Sequence, residues 1–243
     1  MRPRLATFVV LLCHFTARGD LPEETCDADE VAALFSKLGL TEQALAETTQ
    51  VHWAGKGLTD DDMLVFGAWL QFSGGLSKLE TLHIGGNEFG AVGTKSLATA
   101  ISAGLLGSVE RISLGGARIG DAGLKTLASS LGALPRLSSL ALYSCRIGDA
   151  GVKALAAAAS FGALAKLQTL SLRRNFVDDA GVVALATACE SLPQLTNLVL
   201  TPNDYVVSEA GTGKAALAAA CASGRCPAFC SPEPQPASTT PAR

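Results

Sequence analysis

One phrase of eleven residues recurs along the chain and constrains its fold more than any other feature. RIGDAGLKTLA (118–128) is followed by RIGDAGVKALA (146–156). Two looser copies, EFGAVGTKSLA (88–98) and FVDDAGVVALA (176–186), keep an apolar second residue, a glycine at the sixth position and a leucine at the tenth. A phrase that returns at a nearly fixed interval is typical of a solenoid, in which each unit packs only on its neighbours. The sequence therefore predicts one elongated stack of similar units.

A second phrase accompanies the first and supplies a short strand. Its alternating leucines and polar residues follow the two-residue period of a strand, and the eleven-residue phrase then reads as a helix. Strands repeated at a fixed interval are expected to pair in parallel. The copies begin 30, 28, 30 and 28 residues apart: LETLHIGGN (79–87), VERISLGGA (109–117), LSSLALYSC (137–145), LQTLSLRRN (167–175) and LTNLVLTPN (195–203).

Together the two phrases read L-x-x-L-x-L-x-x-N/C-x-L followed by a helix, over roughly residues 76–222. This pattern resembles the leucine-rich-repeat proteins of the ribonuclease-inhibitor-like class. The resemblance implies an α/β fold, a leucine-rich-repeat solenoid with a curved parallel β-sheet on the concave side and α-helices on the convex side.

A column of polar residues stands where each strand ends. We expect these side chains to be buried and to bond to backbone groups of neighbouring turns, and we expect a looser turn at Ala117, which breaks the column. The column contains Asn87, Cys145, Asn175 and Asn203.

Acids and glycines recur at the start of each predicted helix. Asp121, Asp149 and Asp179 are interpreted as N-caps or first-turn acids. The glycine two residues after each acid costs helix stability, and its repetition therefore indicates that each helix start passes close to its neighbour. The same position holds Gly93 in the first clear unit.

We divide the chain into four parts. Residues 1–19 have the layout of a secretory signal peptide, although a frayed N-terminal segment of a cytosolic protein is the alternative. Residues 20–47 are predicted to form a helical cap, and 48–222 a solenoid of one degenerate and five clear repeats. Residues 223–243 are predicted to be a Cys/Pro-rich disordered tail.

Cysteine usage fits an oxidising compartment. Of seven cysteines, Cys13 would leave with the signal peptide. We expect at least one disulfide bond among the others near the chain ends, with the pairing open. A zinc site built from the C-terminal trio lacks a fourth ligand nearby. The candidates are Cys26, Cys189, Cys221, Cys226 and Cys230.

Composition and spacing argue against several functions. The 19 basic and 22 acidic residues give no polybasic footprint, so no nucleic-acid partner is expected. No apolar run approaches the roughly 20 residues of a membrane-spanning helix. No nucleophile and base, and no metal-ligand set, stand at usable spacing, so we expect no enzyme activity, catalytic residue, metal or cofactor. Oligomeric state stays open.

The concave face is the candidate site. Outward strand positions form rows across the repeats, and Tyr143, Arg173 and Arg174 are of the types enriched at interface hot spots. Arg111 and His83 are expected to flank them. The predicted function is therefore a non-enzymatic, secreted or secretory-pathway module that binds a partner protein through this face.

The alternative is a cytosolic signalling regulator. The IGDAGxxxLA phrase also resembles repeats of the Ran GTPase-activating proteins and of intracellular nucleotide-sensing receptors. The full Ran-directed proteins have about twice as many repeats and a strongly acidic tail, whereas Glu233 is the one acidic residue among the last fourteen here.

Overall fold

A computed structural model describes residues 27–201, 203 and 211–222. The predicted signal peptide and the predicted tail lie outside these residues, as do Cys26, Cys226 and Cys230. The strands form one six-stranded parallel sheet in sequence order, with each strand in register with the next. They are β1 (Gln50–His52), β2 (Thr81–His83), β3 (Arg111–Ser113), β4 (Ser139–Ala141), β5 (Thr169–Ser171) and β6 (Asn197–Val199).

Helices lie between successive strands and form a second layer in which each helix packs on the next. Two 3₁₀ turns, Leu131–Ala133 and Cys189–Ser191, follow the fifth and seventh helices. This arrangement confirms the predicted α/β solenoid. The helices are α1 (Ala28–Leu38), α2 (Glu42–Glu47), α3 (Asp60–Ser73), α4 (Ala91–Ser102), α5 (Gly120–Ser130), α6 (Asp149–Ser160), α7 (Asp179–Ala188) and α8 (Thr212–Ala222).

A ladder of apolar side chains fills the space between sheet and helices. The central residue of each strand is buried and pairs in register with its equivalents on both sides. A three-residue strand buries too little to be stable alone, so each depends on its neighbours. The ladder is Val51, Leu82, Ile112, Leu140, Leu170 and Leu198.

Helices α1 and α2 close the N-terminal end of the core. Phe35 packs edge-on against Trp69 of α3, with ring centroids 5.1 Å apart. Lys37 donates to Asp62 at 2.6 Å and to the carbonyl of Gly57 at 2.7 Å. Partial burial raises the pKa of Asp62, but hydrogen bonds from Lys37 and Thr59 outweigh it and hold that pKa below its ordinary value. These contacts attach the cap to the first unit.

Of the three predicted first-turn acids, Asp121 and Asp149 act on the following helix, whereas the buried Oδ1 of Asp179 has no hydrogen-bond partner among the described residues. Asp121, in the first turn of α5, accepts hydrogen bonds from the backbone N–H groups of Gly148 at 2.7 Å and Gly151 at 2.9 Å, at the start of α6. The same pattern links α3 to α4 through Asp60, and α6 to α7 through Asp149. These N–H groups have no partner within their own helix, so each carboxylate caps its neighbour.

The recurrent glycines make room for these carboxylates. A Cβ atom on Gly151 would lie 2.6 Å from Asp121 Oδ1, and one on Gly181 would lie 2.6 Å from Asp149 Oδ1. Both distances are too short for non-bonded atoms. The close approach of helix starts predicted from the glycines is confirmed.

One junction lacks the carboxylate and has a different local structure. Ala91 takes the place of the aspartate in α4, so no carboxylate faces the start of α5. There Gly120 adopts φ +61° and donates its N–H to the carbonyl of Cys145 at 2.9 Å. The backbone donor is thus satisfied by the next repeat instead of the preceding one.

We predict that Asp121→Ala lowers the free energy of unfolding by about 1–3 kcal/mol, because two backbone donors lose a charged acceptor. Chemical denaturation followed by circular dichroism measures the change. Asp61→Ala is the matched control, since Asp61 is an exposed first-turn acid of α3 and should change stability by about 0.5 kcal/mol or less. Equal losses in both variants would contradict the cross-helix capping.

Candidate functional site

Asparagine side chains form hydrogen bonds between the successive turns that support the concave face. The side-chain oxygen of Asn175 accepts from the N–H groups of Cys145 at 2.9 Å and Ile147 at 3.1 Å. Its amide nitrogen donates to the carbonyls of Leu142 at 2.7 Å and Leu172 at 2.9 Å. One side chain therefore satisfies backbone groups of two repeats.

Asn87 and Asn203 have corresponding positions. Asn87 accepts from the N–H of Leu58 at 3.0 Å and donates to the carbonyls of Trp53 and Ile84. Asn203 accepts from the backbone N–H of Asn175 at 2.8 Å. Each asparagine thus bonds to a turn of the preceding repeat.

Cys145 fills the same column with a thiol. It is fully buried and is a free cysteine. Its sulfur lies 3.3 Å from the carbonyls of Leu114 and Tyr143, to which the S–H can donate. Burial raises the pKa of this thiol to about 12, although the N–H groups of Gly116 and Ala117 oppose the shift. The S–H can therefore donate a hydrogen bond to the turn that contains Ala117, whose own side chain cannot hydrogen-bond. The looser turn expected at Ala117 stays a prediction.

The in-register strands place the outward-facing residues in the rows that the sequence predicts. The first row runs through Gln50, Thr81, Arg111, Ser139, Thr169 and Asn197, and the second through His52, His83, Ser113, Ala141, Ser171 and Val199. Arg111 is exposed, donates from Nε to Thr81 Oγ1 at 3.1 Å and lies 3.8 Å from the Glu110 carboxylate. His83 is half-buried.

The face is uneven beyond these rows. In the units that contain β2 and β3, the third row holds Gly85 and Gly115, which are both buried, and the next position holds Gly86 and Gly116, which are exposed. Tyr143, the next residue in this row, lies with its ring over Gly115, because a Cβ there would overlap the ring atoms. Tyr143 is half-buried, so its ring remains accessible at the border between the glycine surface and the following repeat.

Two arginines follow Tyr143 in the next repeat. Arg173 is half-buried, and its Nε has no hydrogen-bond partner although the atom is buried. Arg174 is exposed and has φ +55°, the left-handed conformation that this turn position also has at Gly86, Gly116 and Ser144 of the preceding repeats. For a residue with a Cβ this backbone costs about 1–2 kcal/mol.

The arginines are suited to binding an acidic group. Guanidinium groups that lack an acid partner are suited to carboxylates or phosphates. Among residues 27–201, 203 and 211–222, no three His, Cys, Asp or Glu side chains cluster as metal ligands. Within the same residues, no helix is long and apolar enough to cross a membrane.

His52 is a neighbour of the predicted site that the sequence pattern does not reveal. It lies in the degenerate first unit, and β1 pairs in register with β2 and brings it beside His83, with ring centroids 5.9 Å apart. Extending the second row into the degenerate unit would have found it. Arg118 and Arg146, both exposed at the strand-end edge, were also not considered.

Comparison with known proteins agrees with this architecture. The family model described as Leucine Rich repeat matches residues 75–98, 135–156 and 163–186. The chain is a leucine-rich-repeat protein. A search of curated proteins found no significant match. The comparisons give no support to the resemblance to Ran GTPase-activating proteins.

One solved structure illustrates the similarity. It is the Arabidopsis receptor kinase HAESA, crystallised with a peptide hormone and a co-receptor, at 13% identity and a TM-score of 0.29. The alignment covers 73% of this chain and 46% of the receptor chain, so this leucine-rich-repeat chain spans less than half of that protein.

We predict that the Cys145 thiol resists alkylation in the folded protein and reacts after unfolding, because the thiolate is the nucleophile and the raised pKa suppresses it. Mass spectrometry of the peptide containing Cys145, after iodoacetamide with and without denaturant, measures this. Since the folded pKa lies above the unfolded value, the stability tied to this thiol is complete below about pH 9 and declines as the pH rises toward 12. Equal reaction rates in both states would contradict the burial.

We predict that Arg174→Gly raises the free energy of unfolding by about 0.5–1 kcal/mol, because relief of the left-handed backbone exceeds the entropic cost of glycine. Denaturant titration measures the gain. Ser171→Gly is the matched control, since Ser171 lies in β5 and should lose stability by a similar amount. A loss in the Arg174 variant as large as in the control would refute the strain.

Proposed function

We propose that this leucine-rich-repeat protein is a non-enzymatic interaction module that binds a partner protein through its concave face. Tyr143, Arg173 and Arg174 form the centre of the contact, and Arg111 and His83 flank it. The observation that carries the proposal is the buried, unpartnered Nε of Arg173 beside the accessible Tyr143 ring. A buried donor without an acceptor is costly, and an acceptor from a partner removes that cost.

The neighbouring glycines support the same centre. The exposed Gly86 and Gly116, which have no side chains, lie on one side of Tyr143, and the two arginines lie on the other. A partner main chain can approach the sheet closely over glycine. Aromatic and arginine side chains next to such a surface supply the apolar area and the directional hydrogen bonds of a hot spot.

We further propose that the protein acts in the secretory pathway, after removal of residues 1–19. The layout of the N-terminal sequence supports this, and we propose that Cys189 and Cys221 form disulfide bonds in that compartment. The proposal includes the division into a cap at 20–47, a solenoid at 48–222 and a tail at 223–243. It also includes the ribonuclease-inhibitor-like class, which the helix in each described repeat supports.

The binding test compares two triple variants. The partner is first captured from conditioned medium and purified. The first variant combines Tyr143→Ala, Arg173→Ala and Arg174→Ala. Its affinity for the partner should fall by about 100-fold or more, as expected for loss of hot-spot side chains. Surface plasmon resonance measures the affinity. The matched control combines Phe161→Ala, Lys125→Ala and Lys153→Ala, which removes one aromatic and two cationic groups from exposed positions on or next to the helices.

The two outcomes separate clearly. A partner that loses affinity for the concave variant and keeps it for the control supports the proposed face. A partner that binds both variants like the unaltered protein overturns it. Intact mass from medium and lysate tests the compartment separately, because a secreted chain that begins near Asp20 and gains hydrogens on reduction is required by the proposal.

A further inference from the structure

Two histidines stand side by side on the concave face at its N-terminal end. His52 in β1 and His83 in β2 are partners in the parallel register, and their imidazole rings meet edge to face with centroids 5.9 Å apart and an interplanar angle of 74°. His52 is exposed and His83 half-buried. Both rings are therefore accessible to a small ligand that arrives from solvent.

The separation of the rings is close to that of two imidazoles on one metal ion. With zinc–nitrogen bonds of about 2.0–2.1 Å in tetrahedral geometry, the centroids of two ligating rings lie about 5 Å apart. The observed separation exceeds this by less than an ångström. Small side-chain rotations, which an accessible histidine makes freely, close that gap.

The surroundings allow a cation at this place. Gln50, on the same face of β1, has its Oε1 3.3 Å from His52 Nε2 and can accept a hydrogen bond from Nε2–H, which leaves the unprotonated Nδ1 of that ring to ligate a metal ion. The nearby guanidinium of Arg111 is engaged by Thr81 Oγ1 and by the Glu110 carboxylate, so its charge is partly balanced. Imidazole pairs favour zinc, nickel and copper over calcium or magnesium.

We infer that His52 and His83 form a two-histidine site for a divalent transition-metal ion. Among the residues that the structure describes, no third His, Cys, Asp or Glu groups with them, so two protein ligands hold the ion and its other positions face the concave groove. Resident zinc sites have three or four protein ligands. This one therefore holds an exchangeable ion whose remaining positions take water or a side chain of a bound molecule.

The site is testable without any partner protein. The full chain, purified without a histidine tag, is titrated with Ni²⁺ and separately with Zn²⁺ at neutral pH in an isothermal calorimeter. We expect one ion per chain, and release of the ion on acidification, because metal ligation requires neutral imidazoles. His52→Gln and His83→Gln should each weaken binding about tenfold or more, as expected when a ligand is lost.

A relocated pair provides the sharper test. Ser113 of β3 is the other in-register neighbour of His83, so His52→Gln combined with Ser113→His rebuilds an adjacent pair one strand further along and should restore binding. The control combines His52→Gln with Ser171→His, which has the same composition but places the new imidazole three strands away from His83. This control should not restore binding.

Three results would overturn the site: no saturable binding by the unaltered chain, equal affinity in the single variants, or equal recovery in both relocated variants. Circular dichroism and thermal unfolding verify that each variant is folded. Failure of the metal site leaves the proposed partner contact at Tyr143, Arg173 and Arg174 unaffected, since those side chains lie on other strands or turns and are measured in a different assay.

Discussion

Each repeat of this protein depends on its neighbours for the hydrogen bonds that its own backbone cannot make. Strands three residues long leave the turns after them, and the helix starts beyond those turns, with many donors and acceptors that lack local partners. Buried asparagines satisfy the first group, and aspartates satisfy the second. Asn175 serves groups of two repeats, and Asp121 serves two donors of the following helix. The stack is therefore held by polar as well as apolar contacts, all of them between nearest neighbours.

Much of this fold could be predicted because it repeats. The leucine columns, the strand register and the tight approach at Gly151 and Gly181 follow from residues that recur at one interval. The role of the aspartates could not be predicted in the same way. Asp121 stands at a good capping position of its own helix, while its partners lie 27 and 30 residues later. Only the packing of one helix start on the next brings those N–H groups to the carboxylate.

Where a residue departs from the repeat pattern, the local structure also differs. Ala91 stands where a capping aspartate would lie. At the helix start that lacks this carboxylate, Gly120 has a left-handed backbone and donates a hydrogen bond to a carbonyl of the next repeat. Cys145 replaces an asparagine and still provides a donor to the preceding turn. Arg174 takes the left-handed conformation that this turn position also has at Gly86, Gly116 and Ser144. The backbone cost at Arg174 therefore follows from the turn of the repeat, and it is the exposed guanidinium that we connect with binding.

The candidate site was only partly predictable for a related reason. Row membership of His83, Arg111 and Tyr143 followed from the strand period, but the tilt of the Tyr143 ring over Gly115 and the orphan Nε of Arg173 depend on side-chain packing. His52 was missed because the degenerate first unit obscured its row. Its register partner His83 shows that this unit continues the concave face rather than only sealing it.

The two ends of the concave face therefore differ in chemistry, and their spacing limits what can occupy both. His83 lies in β2 and Arg173 is the second residue after β5, so three inter-strand steps of about 4.8 Å, or about 14 Å, separate their strands across the sheet. An extended polypeptide advances about 3.3 Å per residue, so about four or five residues cover that distance. Between the two ends such a segment would pass the exposed Gly86 and Gly116 on one side and small polar or apolar side chains, Ser113 and Ala141, on the other. A short extended segment that places an anionic group at the arginines fits this surface better than a helix, whose width of about 10 Å would keep its backbone away from the glycines.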